Sequence, residues 1–202
     1  KTYKDGDVLR HYYFDSSGKV VGAKVRTKDK QFRCEGEVSS LFGMQNFPVT
    51  TKIKKANFTK TLVITEGEMD AMSIYEAQPN YYAVVSVPNG AAAAKKAIQK
   101  NYEYVTTFDK VILCMDDDEA GRKAAEECAG VLPPGKVRIA RLDAYKDASE
   151  ALQANDIKAV SRAIYDAKPY RPDGIIDGRS LLTEITRPQP PNDYDYNIKG
   201  LD

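Results

Sequence analysis

Three aspartates and a glutamate, Asp116-Asp117-Asp118-Glu119, follow directly on the apolar run Val111-Ile112-Leu113-Cys114-Met115. On an extended chain Asp116 and Asp118 point to one side, roughly 6 to 7 Å apart, and Asp117 points to the other. Two unit charges about 4 Å apart repel by about 1 kcal/mol in water and about 4 kcal/mol at an effective dielectric of about 20. The cluster therefore calls for a cation, and hard carboxylate oxygens suit Mg²⁺ best. Helix capping is the competing account: Asp118 as an N-cap contributes about 0.5 to 2 kcal/mol, and Glu119 is favoured by the helix dipole. That explains one or two acids and leaves Asp116 without a structural reason. Glu66 closes a second apolar run, Thr61-Leu62-Val63-Ile64-Thr65, and Asp147 stands in Lys146-Asp147-Ala148 before another helical pattern, where N-capping is again an alternative. Glu68 and Asp70 fall in the first turn of the helix after Glu66, where the dipole favours acids. Carboxylates holding a divalent ion beside a phosphate ester suit phosphoryl or nucleotidyl transfer. Glu66, on a different strand, is placed to deprotonate an attacking hydroxyl.

Positioning these acids requires a sheet. Thr61–Thr65, Tyr82–Val87, Val111–Met115 and Lys136–Leu142 read as strands, and the unbroken apolar runs among them mark strands covered on both faces, as in parallel sheets. Helices are expected through about Ala77, over Ala91–Lys100, over Ala124–Leu132, after Lys146 and over 157–167. The resulting α/β sheet brings Glu66, Asp116, Asp118 and Asp147 to its carboxyl edge, where ligands bind in open α/β folds. Pro88-Asn89-Gly90 is a turn that presents backbone amides at a helix start, with Lys95 and Lys96 one turn later. Before the sheet, residues 8 to 33 predict an antiparallel β unit: strands Val8–Phe14 and Val20–Arg26 flank the turn Asp15-Ser16-Ser17-Gly18. Lys24 and Arg26 share a face, with Lys28 and Lys30 continuing it toward Phe32 and Arg33. Such a basic strand is either a solvated face or a phosphate-binding ridge.

The bulk properties narrow the chemistry. With 202 residues, 42% of them hydrophobic, the chain accommodates one domain and a small accessory part. A net charge of +1 gives no global signal for nucleic acid, so local patches must carry it. Cys34, Cys114 and Cys128 match no zinc spacing and read as reduced thiols. His11 is the only histidine, which argues against His-based nucleophilic catalysis. No stretch is apolar enough to span a membrane and no signal peptide is evident, so a cytoplasmic protein without membrane contact is expected. The first residue, Lys1, points to an excised fragment. Boundaries are expected near residue 50, between a β-rich subdomain (1–50) and the catalytic α/β domain (51–172), and at 173. From there a short amphipathic piece, Gly178–Thr186, leads into the linker-like Arg187-Pro188-Gln189-Pro190-Pro191.

Glu66 in Thr-Glu-Gly-Glu-Met-Asp-Ala, Pro88-Asn89-Gly90-Ala91 and Asp116-x-Asp118 in Met-Asp-Asp-Asp-Glu-Ala-Gly-Arg-Lys together resemble the Toprim domain of bacterial-type primases, topoisomerases and some nucleases. Lys24-Val25-Arg26-x-Lys28-x-Lys30-x-Phe32, Ala94-Lys95-Lys96 followed by Asn101-Tyr102-Glu103-Tyr104, Val131-Leu132-Pro133 and Lys146-Asp147-Ala148 extend the likeness, over about residues 20 to 175, to bifunctional phage primase-helicases. The resemblance implies a Toprim fold, Rossmann-like and mostly parallel, with a small N-terminal antiparallel β-rich subdomain. It implies a primase that joins ribonucleotides on a single-stranded DNA template inside the phage's host cell. Glu66 would be the general base or an electrostatic partner of the metals. Asp116 and Asp118 would be the ligands of Mg²⁺ or Mn²⁺, with Asp147 and Asp70 as further acids and Glu68 in a less defined role. Lys24, Arg26, Lys28, Lys30, Gly90 and Lys95 would meet nucleotide or template. Asp117 faces away and should be dispensable. Partners implied are ribonucleoside triphosphates, a replicative DNA polymerase, and the zinc-binding and hexameric helicase domains of the same polypeptide. This chain has neither the zinc-binding cysteines nor a Walker A loop, so no zinc is expected in it, and Gly178–Thr186 would dock on a neighbouring helicase subunit.

A Toprim nuclease uses similar acids and is the rival enzyme. A topoisomerase needs a tyrosine nucleophile on a further domain, and a phospho-receiver needs its acid pair at the first strand rather than a later one. An inactive Toprim-like module that only binds DNA is the rival outside enzymes.

Overall fold

The computed structural model describes residues 1–15, 17–29, 31–48, 60–172 and 178–187, in two units, Lys1–Tyr170 and Arg171–Asp202. The expected boundary near residue 50 lies outside the described residues.

The first unit opens with a four-stranded antiparallel sheet of β1 (Thr2–Asp5), β2 (Val8–Phe14), β3 (Val20–Thr27) and β4 (Phe32–Gly36), in that spatial order. β2 and β3 are the two strands expected. β3 ends at Thr27, where Thr27 N–H donates to the Gln31 carbonyl at 3.0 Å and the chain reverses. The basic face therefore stops at Arg26. Lys28 sits exposed in the turn, Phe32 returns beside Arg26, and Lys30 lies outside the described residues.

The second sheet has the order β6-β5-β7-β8-β9. β5 (Thr61–Thr65), β6 (Ala83–Ser86), β7 (Lys110–Cys114) and β8 (Val137–Ile139) run parallel, and the short β9 (Lys168–Pro169) is antiparallel at the edge. The helices are α1 (Glu68–Ala77), α2 (Ala91–Lys100), α3 (Tyr102–Thr106), α4 (Glu119–Ala129), α5 (Ala148–Gln153) and α6 (Ile157–Tyr165). Helices cover both faces, so the strands carry no polar alternation. Leu62, Ile64 and Leu113 pack toward α2, α3 and α4, while Val63 and Ile112 pack toward α1, α5 and α6. β8 is shorter than the strand expected over Lys136–Leu142. α4 begins directly after Asp118, which caps it as the capping account expected, and it ends at Ala129, before the expected Leu132. Tyr13 and Phe42 join the second of these cores. Phe42 also exchanges backbone hydrogen bonds of 2.9 and 3.1 Å with Ser86 on the edge strand β6, so the antiparallel sheet and the α/β sheet share one interior.

β5 is followed by a crossover to one side, β6, and the chain then returns past β5 to place β7 on the other. The order thus reverses between β5 and β7, the switch point where an open α/β sheet leaves a crevice at its carboxyl ends. The register Thr65↔Cys114 sets Glu66 and the acids after β7 on either side of it.

Gly121 holds that arrangement tight. A Cβ there would fall 2.2 Å from the Asp116 carbonyl oxygen, a backbone atom that cannot yield without moving the strand end. The second unit contributes α7 (Gly178–Ile185), an amphipathic helix as expected, with Leu182 and Ile185 exposed. Gly121→Ala is expected to destabilise the protein by about 1 to 3 kcal/mol, as overpacking does, read as a lowered denaturant midpoint with an unchanged m-value. An unaltered midpoint would show that α4 and the strand end are not locked together.

Candidate active site

Four of the acids at the sheet's carboxyl edge, Glu66, Asp118, Asp147 and Asp70, accept a hydrogen bond from a backbone N–H. Glu66 accepts the Ala91 N–H on Oε1 at 3.1 Å, tying the end of β5 to the start of α2. Gly90 makes that approach, with φ +67 and space beside Glu66 Oε1. The other oxygen, Oε2, is buried and has no hydrogen-bond partner. Asp118 caps α4 through Gly121 N–H at 2.9 Å, and Asp147 caps α5 through Glu150 N–H at 2.7 Å. Asp70 accepts the Ser149 N–H at 3.0 Å, linking α1 to α5. Asp116 has no such bond among the described contacts. Its carboxylate pairs instead with Lys146 Nζ at 3.4 Å, and the same ammonium lies 3.2 Å from Asp118 Oδ2. Asp116 and Asp118 thus face one side, and Asp117 faces Arg122 at 2.8 Å and Arg141 at 3.4 Å on the other. With these two pairs and a backbone bond from Asp117 N–H to the Lys146 carbonyl at 2.7 Å, Asp117 has a structural task that its outward direction did not reveal.

Burial first, and then the crowding of carboxylates, raises the proton affinity of two of these acids. Asp116 is pushed up to about 6 by burial and by the charge of Glu66. Asp70 is pushed up to about 7 by burial and then by Asp147. Asp118 lies below the usual carboxylate range because Gly121 N–H and Lys146 favour its charged form.

The basic residues divide. Lys24 reaches the acid edge: its ammonium lies 3.0 Å from Glu68 and donates to the Pro88 carbonyl at 3.1 Å. Glu68 is buried and also accepts from Tyr13 Oη at 2.6 Å, which makes it a structural counter-ion at this position. Arg26 lies beside Phe32, and Lys95 is exposed one turn into α2. Sequence reasoning missed Lys146 as a member of the site. Its adjacency to Asp147 was the available signal, since the residue before an N-cap at a sheet edge faces the same crevice.

The donor set fits a hard divalent ion. Glu66 Oε2 is an orphaned buried oxygen, Asp116 and Asp70 hold protons more tightly than free carboxyls, and a lysine ammonium stands between Asp116 and Asp118 where a cation relieves their repulsion. Among the described residues no three His, Cys, Asp or Glu side chains are already gathered as a metal cage. Lys146 is about half exposed, and exposed ion pairs contribute only about 0 to 1 kcal/mol, so its displacement by an ion of double charge is inexpensive.

A family model described as Toprim-like matches residues 63–152, which span β5 through α5. The DNA helicase/primase of Enterobacteria phage T3 is 43% identical over 175 residues, 86% of this chain and 29% of the relative. The chain thus spans less than a third of that protein's length. The crystal structure of the primase fragment of the bacteriophage T7 primase-helicase superposes with a TM-score of 0.69 at 42% identity, covering 78% of this chain and 62% of the other. A structure of bacteriophage T7 lagging-strand DNA polymerase interacting with primase domains of two gp4 subunits, bound to an RNA/DNA hybrid and dTTP, gives 0.71 at 41% identity, covering 81% and 79%.

Asp70 supplies a pH test. Its folded-state affinity for a proton is raised, so between about pH 4 and its value of about 7 the folded protein holds more proton than the unfolded chain, and stability falls as pH rises through that window. Asp70→Asn removes this dependence. Its thermal midpoint relative to the unsubstituted protein is expected to rise between pH 5 and pH 8 in chelator. A difference independent of pH would show that Asp70 does not hold its proton more tightly in the folded protein.

Proposed function

With the chain's membership of the Toprim-fold primases of the phage primase-helicase family as premise, we propose that it is the RNA polymerase domain of such a protein, joining ribonucleotides into primers on single-stranded DNA. The observation that carries the proposal is the meeting of Glu66 and Asp116 across the switch point, with Glu66 Oε2 buried and unpartnered. Glu66 is anchored through Oε1, so Oε2 is available to take the proton of an attacking ribose hydroxyl. Asp116 and Asp118, supported by Asp147 and Asp70, would hold Mg²⁺ or Mn²⁺, which when bound offsets charge on the triphosphate and the reacting oxygens. Arg26, Lys28, Lys30 and Lys95 would meet phosphates of nucleotide or template, while Lys24 acts through Glu68 and the Pro88 carbonyl to place the loop that ends at Gly90.

The helicase/primase relative of phage T3 and the T7 assembly with DNA polymerase and an RNA/DNA hybrid support a helicase domain, a DNA polymerase and DNA as partners; a single-stranded template, ribonucleoside triphosphates, a zinc-binding domain and a hexameric helicase complete the proposal. The exposed apolar side of α7 would dock on a neighbouring helicase subunit. Among the described residues no helix is long and apolar enough to cross a membrane, and the proposed setting is the host cytoplasm.

Incubation with single-stranded DNA, Mg²⁺ and labelled ribonucleotides is expected to yield short oligoribonucleotides, lost on Glu66→Gln, Asp116→Asn or Asp118→Asn without loss of the fold by circular dichroism. Cleaved DNA with no RNA product would instead establish the nuclease. Independently of synthesis, Lys146→Met is expected to bind Mn²⁺ severalfold more tightly by calorimetry, because no ammonium has to leave; equal or weaker binding would show that Lys146 does not stand in the ion's place.

A further inference from the structure

Phe32 begins β4 as the cross-strand neighbour of Arg26, and its ring is 53% exposed. One exposed apolar side chain is ordinary. This one is not alone: Lys24 Nζ lies 4.8 Å from the ring centroid and the Arg26 guanidinium 5.4 Å from it. Both cations of the basic face are turned onto the same aromatic surface. The Lys24 ammonium is also the group that contacts Glu68 and the Pro88 carbonyl, so a single side chain connects the ring to the loop carrying Gly90 and, through Ala91, to Glu66. Phe32 therefore stands beside the acid edge, at the place where the antiparallel sheet meets it.

Proteins that hold single-stranded nucleic acid combine cations for the backbone with aromatic rings on which bases stack, and a ring needs no hydrogen bonds to accept any base. Phe32 offers exposed π surface, Arg26 and the exposed Lys28 offer charge for the adjoining phosphate, and the acids that would hold the metal lie one loop away. We propose that Phe32 is a stacking platform for a nucleobase at the mouth of the site, belonging either to the template strand or to a nucleotide about to be joined. This inference rests on the proposed primase activity for its ligand class, but its test does not depend on synthesis.

The chain contains no tryptophan and 13 tyrosines, so Phe32→Trp introduces a single indole at the proposed contact, excited selectively beyond tyrosine absorption. Its emission is expected to be quenched on titration with a short single-stranded deoxyoligonucleotide, with a ribonucleoside triphosphate and Mg²⁺, or with both, and left unchanged by an abasic oligonucleotide of equal length and by inorganic tripolyphosphate. Quenching by the oligonucleotide alone assigns the template base, and quenching by the triphosphate alone assigns the incoming nucleotide. Phe32→Ala is expected to weaken binding of the quenching ligand on the order of tenfold, with Phe32→Tyr restoring it and circular dichroism unchanged. Equal quenching by the abasic control, no quenching by either base-bearing ligand, or unweakened binding by Phe32→Ala each overturns the platform. Failure of the primase reading itself is distinguishable, because it shows as absent RNA synthesis by the unsubstituted protein whatever Phe32 binds.

Discussion

Mutual repulsion of carboxylates at the ends of β5 and β7 is the constraint around which this molecule is arranged. Two parallel strands paired in register place Glu66 and the acids after β7 on either side of one crevice, and the charge of Glu66 adds to the burial that makes Asp116 costly to ionise. Backbone hydrogen bonding along β5, β6 and β7, with apolar cores on both faces, makes that proximity unavoidable: the acids cannot separate without breaking a buried ladder. What the fold can do is supply positive charge. It does so with helix N-termini at α2, α4 and α5, receiving Glu66, Asp118 and Asp147, and with the ammonium of Lys146 between Asp116 and Asp118.

The antiparallel sheet is best understood from the same edge. The segment after β4 bridges to β6 through Phe42 and Ser86, and the sheet itself buries Tyr13 against the α/β core. The buried Glu68 is then bracketed by Tyr13 and Lys24, both donated by that sheet. Burying a carboxylate unpaired costs several kcal/mol, so loss of Tyr13 or Lys24 would leave Glu68 under-compensated where the two sheets meet. The basic strand is thereby fixed beside the acidic edge, and opposite charges are juxtaposed where a phosphate ester would have to bridge them.

Much of this was legible in the sequence. The apolar runs ending in Glu66 and Asp116 identify covered parallel strands, and the period-two split of Asp116 and Asp118 from Asp117 follows from strand geometry alone; the ion pairs with Lys146 and with Arg122 and Arg141 agree with it. Less legible was anything that depends on a chain reversal. The continuous basic face over Lys24 to Lys30 assumed an extended strand, whereas the turn after Thr27 removes Lys28 from it and brings Phe32 back onto it. The partners of Glu68, Tyr13 and Lys24, and the Arg141 partner of Asp117 are separated from them by tens of residues and lie on other segments of the chain, so no local spacing encodes them. The order of strands, and with it the switch point, is likewise set by crossovers that the strand pattern does not specify.

Capping and metal binding entered as rival explanations of the same acids, and the geometry removes the rivalry. A carboxylate has two oxygens and about four acceptor sites. Glu66 uses Oε1 for the Ala91 amide and leaves Oε2 unpartnered, and Asp118 uses Oδ1 for Gly121 while Oδ2 faces Lys146. One oxygen ties the side chain to a rigid helix end, with a cap's contribution of about 0.5 to 2 kcal/mol, and the other is left for a further partner. The structural bond restricts rotation about the side chain and so reduces the entropy lost when a ligand is later gripped. Asp116 is the exception that fits the rule: it has no cap to make, and its position is fixed instead through the backbone, where Gly121 lets α4 rest directly against it. An acid at a strand-to-helix junction is for this reason poor evidence against chemistry when it caps, since capping is also how such a group is held still enough to do chemistry.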